Sequence, residues 1–196
     1  EGFELGEAVH GDASPVWIER SRFGFIAGYR DAVDLGNCEL PDVPVLAHNH
    51  FMGGEDDAID LDDCTAIVVG NLIENYRPED LESPDGNMNG GGITGAGSST
   101  PLVANNVIQN CFHGVGFKDG AEPILIHNTI IDNHVGATFY QSAAGEDEPH
   151  GTLFNNILWN NRDWADDARD PSQDITARYA IEQTLDDIAA ATSAAY

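Results

Sequence analysis

Val45-Leu46-Ala47-His48-Asn49-His50-Phe51 returns as Ile67-Val68-Val69-Gly70-Asn71-Leu72-Ile73. It returns again as Leu102-Val103-Ala104-Asn105-Asn106-Val107-Ile108, as Ile124-Leu125-Ile126-His127-Asn128-Thr129-Ile130, and as Thr152-Leu153-Phe154-Asn155-Asn156-Ile157-Leu158. An apolar strand runs each time into one Asn, with an apolar residue two positions later. Asn49 to Asn71 and Asn106 to Asn128 are both 22 residues apart, and the other intervals are longer by a loop. A fixed period in this range marks a solenoid.

Strand residues alternate faces. Read as one strand, each copy puts the residues two before and two after the Asn on the Asn's face. Apolar flanks make that face the inner one. A buried unpaired amide costs about 1–3 kcal/mol, so Asn49, Asn71, Asn106, Asn128 and Asn156 should bond one another from coil to coil. The same parity puts Leu46, Val68, Val103, Leu125 and Leu153 outside. That outward aliphatic stripe predicts a contact surface for flanking segments of a longer chain or for a second protomer.

A second strand follows about ten residues after each Asn. Its copies are Ala32-Val33-Asp34-Leu35, Ala58-Ile59-Asp60-Leu61, Gly92-Ile93-Thr94-Gly95, Gly114-Val115-Gly116-Phe117 and Gly136-Ala137-Thr138-Phe139. Two short strands per coil, winding each onto the next at about 4.8 Å, predict an all-β fold: a right-handed parallel β-helix of roughly seven coils over residues 16–182. Val16–Ser21 reads as an early degenerate coil, with Ser21 in the Asn place. Residues 1–15 read as a partial coil or linker, and 183–196 as a short helix or tail. Terminal coils need caps, and neither end shows one, so the chain is expected to be part of a longer protein.

The 34 acidic residues against 8 basic ones give a net charge of −26. Such a surface repels nucleic acid and anionic membranes, and neither is expected as a partner. No apolar run approaches the roughly 20 residues of a membrane span. The charge fits a saline setting or a chain that binds divalent cations. Cys38 and Cys64 hold equivalent places in successive coils, spaced either for a disulfide or for two small buried thiols. Cys111 has no such partner.

The acidic run Glu55-Asp56-Asp57-Ala58-Ile59-Asp60-Leu61-Asp62-Asp63 is the sharpest chemical feature. Asp60 and Asp62 alternate with inward Ile59 and Leu61, and Asp31 and Asp34 lie one coil earlier in register with Asp57 and Asp60. Stacked carboxylates repel unless a cation neutralises them or some stay protonated. Oxygen donors of this kind suit Ca²⁺. Asp31, Asp34, Asp56, Asp57, Asp60 and Asp62 are therefore the candidate ligands, with a solvated acidic edge as the alternative.

With its Asn coils, the Asp56-Asp57-Ala58-Ile59-Asp60-Leu61 turn resembles family-nine pectate lyases. The resemblance implies a β-helix that binds Ca²⁺ through Asp56, Asp57 and Asp60, with Asp34 or Asp31 one coil earlier. That family's base is a Lys in the next coil, where this chain has Thr94. Over residues 30–182 the chain is also similar to bacterial surface proteins of the same repeat, through Asp56–Leu61, the Gly92–Gly97 strand and the Lys118-Asp119-Gly120 turn. Lys118 and Tyr140, on one outward column, are the candidates for acid–base chemistry, and Arg30 and Arg77 for a substrate carboxylate. The expectation is an extracellular or cell-surface, Ca²⁺-stabilised scaffold or carbohydrate-binding module. The alternative is a lyase acting on an acidic polysaccharide.

Overall fold

In the computed structural model the described residues are 7–41, 43–78, 90–142 and 145–161, together with the backbone of 163–166, 174–178 and 181–182. The expected segment 183–196 and most of the loops 76–89 and 162–174 lie outside them. Among the described residues every element is a strand, and the strands recur in threes. The first level holds β1 (Val9–Asp12), β2 (Trp17–Glu19) and β3 (Arg22–Phe23). The second holds β4 (Val33–Gly36), β5 (Val45–Ala47) and β6 (His50–Phe51). Next come β7 (Ile59–Asp62), β8 (Ile67–Val69) and β9 (Leu72–Glu74), then β10 (Gly91–Ala96), β11 (Leu102–Ala104) and β12 (Val107–Gln109). After them come β13 (His113–Lys118), β14 (Ile124–Ile126) and β15 (Thr129–Ile131), then β16 (Val135–Tyr140), β17 (His150–Phe154) and β18 (Ile157–Trp159). The last level is β19 (Asp163–Asp166), β20 (Asp174–Arg178) and β21 (Ile181–Glu182).

Each strand pairs in parallel with its counterpart one coil away, so the chain forms three seven-stranded sheets around one core. The architecture is the expected parallel β-solenoid, with a correction. Each coil has three strands, not two, because the Asn strand breaks at its Asn. The residue before the Asn adopts a left-handed backbone: φ is 56° at His48, 66° at Gly70, 54° at Asn105, 56° at His127 and 51° at Asn155. Asn and Gly tolerate that region better than most residues. The kink turns the chain from the second sheet into the third, with the Asn amide inside the corner.

This corner overturns the expected outward stripe. Leu46, Val68, Val103, Leu125 and Leu153 are all fully buried. Strand alternation does not run through a left-handed residue. Three residues before the Asn, the chain points inward; two before, it points out; then it bends, and the Asn points in again. The second sheet therefore shows solvent a different set, including Trp17, Ile124 and Phe154. The residues after the Asn follow the expected parity, and Phe51, Ile73, Ile108, Ile130 and Leu158 are buried. So are Val33, Leu35, Ile59, Leu61, Val115, Phe117, Ala137 and Phe139 of the first sheet.

The Asn amides form the expected ladder. Asn71 Nδ2 donates to Asn106 Oδ1 at 2.9 Å and to Leu46 O at 2.9 Å. Asn106 Nδ2 donates to Asn128 Oδ1 at 3.0 Å, and Asn128 Nδ2 to Asn156 Oδ1 at 2.9 Å. At the near end, Asn49 Nδ2 donates to Asn71 Oδ1 at 3.1 Å, and Asn49 Oδ1 accepts from Ser21 N at 2.9 Å. Ser21 thus closes the column where its side chain cannot continue it. A second ladder lies five residues further on. Asn133 Nδ2 donates to Asn161 Oδ1 at 3.0 Å, and Asn133 Oδ1 accepts from Cys111 N at 2.9 Å.

Cys38 and Cys64 are joined in a disulfide across neighbouring coils, with Cα atoms 4.2 Å apart. Cys111 is a free, buried thiol of the core. Among the described residues no helix is long and apolar enough to cross a membrane.

Candidate cation and ligand site on the first sheet

The outer face of the first sheet carries three side-chain columns. One joins Asp34, Asp60, Thr94, Gly116 and Thr138 by strand register. The next, two residues along, joins Gly36, Asp62 and Ala96, and further up pairs Lys118 with Tyr140. The third, three residues before the first, pairs Gly91 with His113 and His113 with Val135. Asp31 and Asp57 precede their strands on the same side and extend that third column downward.

Asp31, Asp56 and Asp57 converge, each offering an oxygen within 4.8 Å of the others. Two oxygens on one Ca²⁺ lie about 2.3–2.6 Å from it, so they cannot be much more than 5 Å apart. The triad meets that limit. Asp57 is held from above: its Oδ1 accepts from Gly91 N at 2.6 Å and its Oδ2 from Thr94 Oγ1 at 2.7 Å. From below, Asp57 N donates to Asp31 Oδ1 at 3.1 Å. Gly91 suits this contact, since a Cβ there would lie 2.9 Å from Asp57 Oδ1 and 2.4 Å from Thr94 Cγ2. The Asp31 loop is tied to the Asp56 loop by a hydrogen bond from Gly28 N to the Glu55 carboxylate.

Not all six candidate ligands converge. Asp34 Oδ2 is 2.7 Å from His10 Nδ1 and lies outside the triad. The earlier-coil Asp beside Asp56 and Asp57 is therefore Asp31. Asp60 lies outside the triad and is linked to it through Thr94 Oγ1, which donates to Asp60 Oδ1 at 3.1 Å. Asp62 sits one column over. Arg30, next to Asp31 in the chain, acts electrostatically on Asp56. Arg77 is held at the neighbouring corner, where its Nε donates to Asn110 O at 2.7 Å. Lys118 and Tyr140 are neighbours in register, as the spacing predicts.

The carboxylates are uncomfortable as bare charges. Burial, then Asp60 and Asp56, raise Asp31 from 3.8 to about 8. Burial raises Asp56 to about 6 against the pull of Arg30. Asp60 is raised to about 6 by burial and Asp62, although Lys118 and Thr94 oppose this. Asp57 is pushed well up by burial, then by Asp60, Asp31 and Asp56. Burial works to lower Lys118, but Tyr140, Asp60, Asp62 and Asp57 outweigh it, and the ammonium ends above its ordinary value.

These shifts give a pH prediction. A carboxyl with a raised folded pKa binds more protons folded than unfolded, so stability falls as pH rises. Without divalent cations, the midpoint of thermal unfolding is expected to fall between pH 4 and pH 8, the window set by the ordinary 3.8 and the value of about 8 for Asp31. Saturating Ca²⁺ should flatten or reverse that slope. A metal-free midpoint that rises across the window would contradict the assignment.

Two features of the site were not anticipated from sequence. Thr94 is a hydrogen-bond partner of Asp57 and Asp60, and not merely a missing Lys. Gly91 supplies a backbone donor to Asp57. The signal for both was the register of the Gly-rich strand against the acidic one, three residues earlier for Gly91.

The family described as a right-handed beta helix region matches residues 21–178. No curated protein and no solved structure shows significant similarity to the chain.

Proposed function

Because the chain belongs to the right-handed β-helix family, we propose that it is a Ca²⁺-stabilised module that binds acidic polysaccharide outside the cell without cleaving it. The convergence of Asp31, Asp56 and Asp57 carries this reading. Three carboxylates fill only part of a Ca²⁺ shell of six to eight oxygens, which leaves positions for water and for a sugar carboxylate. Bound there, the ion would neutralise the triad and bridge it to an anionic glycan that a chain of net charge −26 would otherwise repel. The Cys38–Cys64 disulfide favours an oxidising, extracellular setting.

The reading without cleavage follows from the base that a lyase would need. Proton abstraction beside a uronate carboxylate needs a group that is neutral at working pH. Thr94, in register with Asp60, is not a base. Lys118 is held as an ammonium by Tyr140, Asp60, Asp62 and Asp57. The lyase alternative rests on Lys118 and Tyr140 sharing this face.

Calorimetric titration with Ca²⁺, run beside ultraviolet detection of unsaturated product on pectate and alginate, separates the readings. Ca²⁺ binding and glycan retention with no unsaturated product are the expected results. Product that accumulates with wild-type protein and disappears with Lys118→Met would replace the module by a lyase. An absence of Ca²⁺ binding would reduce the triad to an acidic edge.

A further inference from the structure

The outer face of the second sheet carries two columns by strand register. One runs Trp17, Val45, Ile67, Leu102, Ile124 and Thr152, from the first coil to the sixth. The other, two residues along, runs Glu19, Ala47, Val69, Ala104, Ile126 and Phe154. Beyond Glu19 neither column carries a charge, in a chain with 34 acidic residues and a net charge of −26. Glu19 stands at one end, with its carboxylate 3.2 Å from Arg20 Nη1. Over the same coils the first sheet shows solvent Asp34, Asp60 and Asp62. Between the two columns, Leu46, Val68, Val103, Leu125 and Leu153 fill the core, so the core does not require the outward residues to be apolar. Charged residues are depleted at the centre of protein interfaces, and a continuous apolar patch with a polar rim marks one.

The two columns fit their own reversed copies. A two-fold axis parallel to the strands, between β8 and β11, sets the first coil against the sixth, the second against the fifth and the third against the fourth. Trp17 then meets Thr152, Val45 meets Ile124, and Ile67 meets Leu102. In the other column Ala47 meets Ile126 and Val69 meets Ala104. Large side chains fall opposite small ones and the central pair is alike in size, which suits two sheets packed about 10 Å apart. Trp17 is 71% exposed, Ile124 44% and Phe154 36%, and most of the remaining residues are partly exposed. At about 200 Å² for a large side chain, the face offers about 500 Å². A two-fold pair then removes about 1,000 Å² in all, the lower limit for a specific interface.

We infer that this face docks a second copy of the chain, as an isologous dimer in which each copy presents the same patch. The inference is independent of the Ca²⁺ triad, which lies on another sheet. Each copy brings a net charge of −26, and the face holds no cation to offset the other copy's charge. Repulsion between the copies is therefore screened by salt alone, over a distance that shrinks from about 10 Å at 0.1 M to about 3 Å at 1 M. Salt should tighten this dimer, the reverse of its effect on an interface held by ion pairs.

Sedimentation equilibrium of the full chain tests the dimer, with a chelator present so that no divalent ion bridges the copies. Wild-type protein should dimerise, with a dissociation constant at least about tenfold lower in 1 M than in 0.1 M NaCl. Ile124→Lys sets a cation against Val45 of the other copy and lowers the overall charge, so general repulsion would favour its association. It should instead weaken the dimer at least about tenfold at either salt. Phe154→Lys should do the same and carries the test if Ile124→Lys folds poorly. Phe25→Lys is the control, since Phe25 is 63% exposed but follows β3 of the third sheet, and it should dimerise as wild type does. Wild-type protein that stays monomeric at both salts would overturn the inference. If its unfolding midpoint also drops in Ile124→Lys, the face is covered from within the chain instead. Dimers that both lysine variants leave intact, or that salt weakens, would place the contact elsewhere and overturn it equally.

Discussion

Replacing Asn106 with Ala is expected to lower the unfolding free energy by about 4 kcal/mol, the sum of two backbone groups left buried and unpaired at about 1–3 kcal/mol each. Asn106 Oδ1 accepts from Asn71 N at 2.9 Å, and Asn106 Nδ2 donates to Val68 O at 2.9 Å. Both groups lie inside the corner, where water cannot replace the amide. The other two bonds, to the amides of Asn71 and Asn128, break the ladder at its middle. Their loss is less costly, since Asn71 Nδ2 keeps Leu46 O and Asn128 Oδ1 keeps Asn106 N.

Two comparisons make the expectation specific. Ile108→Val removes one methylene from the same coil and should cost only about 1 kcal/mol. Asn49→Ala should cost less than Asn106→Ala, because the two backbone groups it leaves unpaired, Ser21 N and Ile18 O, are only partly buried. In a solenoid each coil is stabilised mainly by its neighbours, so a break in the middle also separates two otherwise cooperative halves. Urea unfolding followed by far-ultraviolet circular dichroism measures all three. A loss below 1 kcal/mol for Asn106→Ala would mean that the ladder is ornamental.

Asp57→Ala is expected to weaken Ca²⁺ binding about a hundredfold or more, beyond the range typical of outer-shell changes. Asp57 is the member of the triad whose direction is fixed, by Gly91 N and Thr94 Oγ1. A ligand already oriented loses little entropy when the ion arrives, so its removal should cost more than that of Asp56, whose carboxylate takes a backbone hydrogen bond from Asp57 alone. The stabilisation by Ca²⁺ should vanish with it, since linkage ties the rise in unfolding midpoint to affinity. Asp34→Ala is the control. Its carboxylate is engaged by His10, and Ca²⁺ affinity should stay within about threefold of wild type, as for a group outside the coordination shell. Calorimetry on the two variants decides the assignment. Equal losses would place the ion between Asp34 and Asp60, and no loss in either would remove it from this face.

The solenoid was legible because its signal is repetition. Five Asn copies in one apolar frame, and a companion strand after each, carry the period whatever the local conformation is. The Asn ladder followed from the cost of burying an amide. The pairing of Cys38 with Cys64 followed from equivalent places in adjacent coils, with free thiols left as the other option. The second ladder was equally available. Asn133 and Asn161 each stand five residues after a ladder Asn, but Cys111 and Tyr76 occupy the equivalent places in earlier coils and hide the column.

The sequence by itself determined the period, the parallel stacking and the face that carries the acidic run, because each depends only on spacing along the chain. Only the tertiary structure decided which side of the corner strand faces solvent. One left-handed residue resets the alternation, and His48, Gly70, Asn105, His127 and Asn155 share no single residue type that would announce it. The structure likewise chose Asp31 over Asp34 for the triad. That choice depends on a hydrogen bond from Thr94, a coil above, and on His10, a coil below. Spacing within a strand states which residues share a column, but the partners across columns and coils exist only once the coils are stacked.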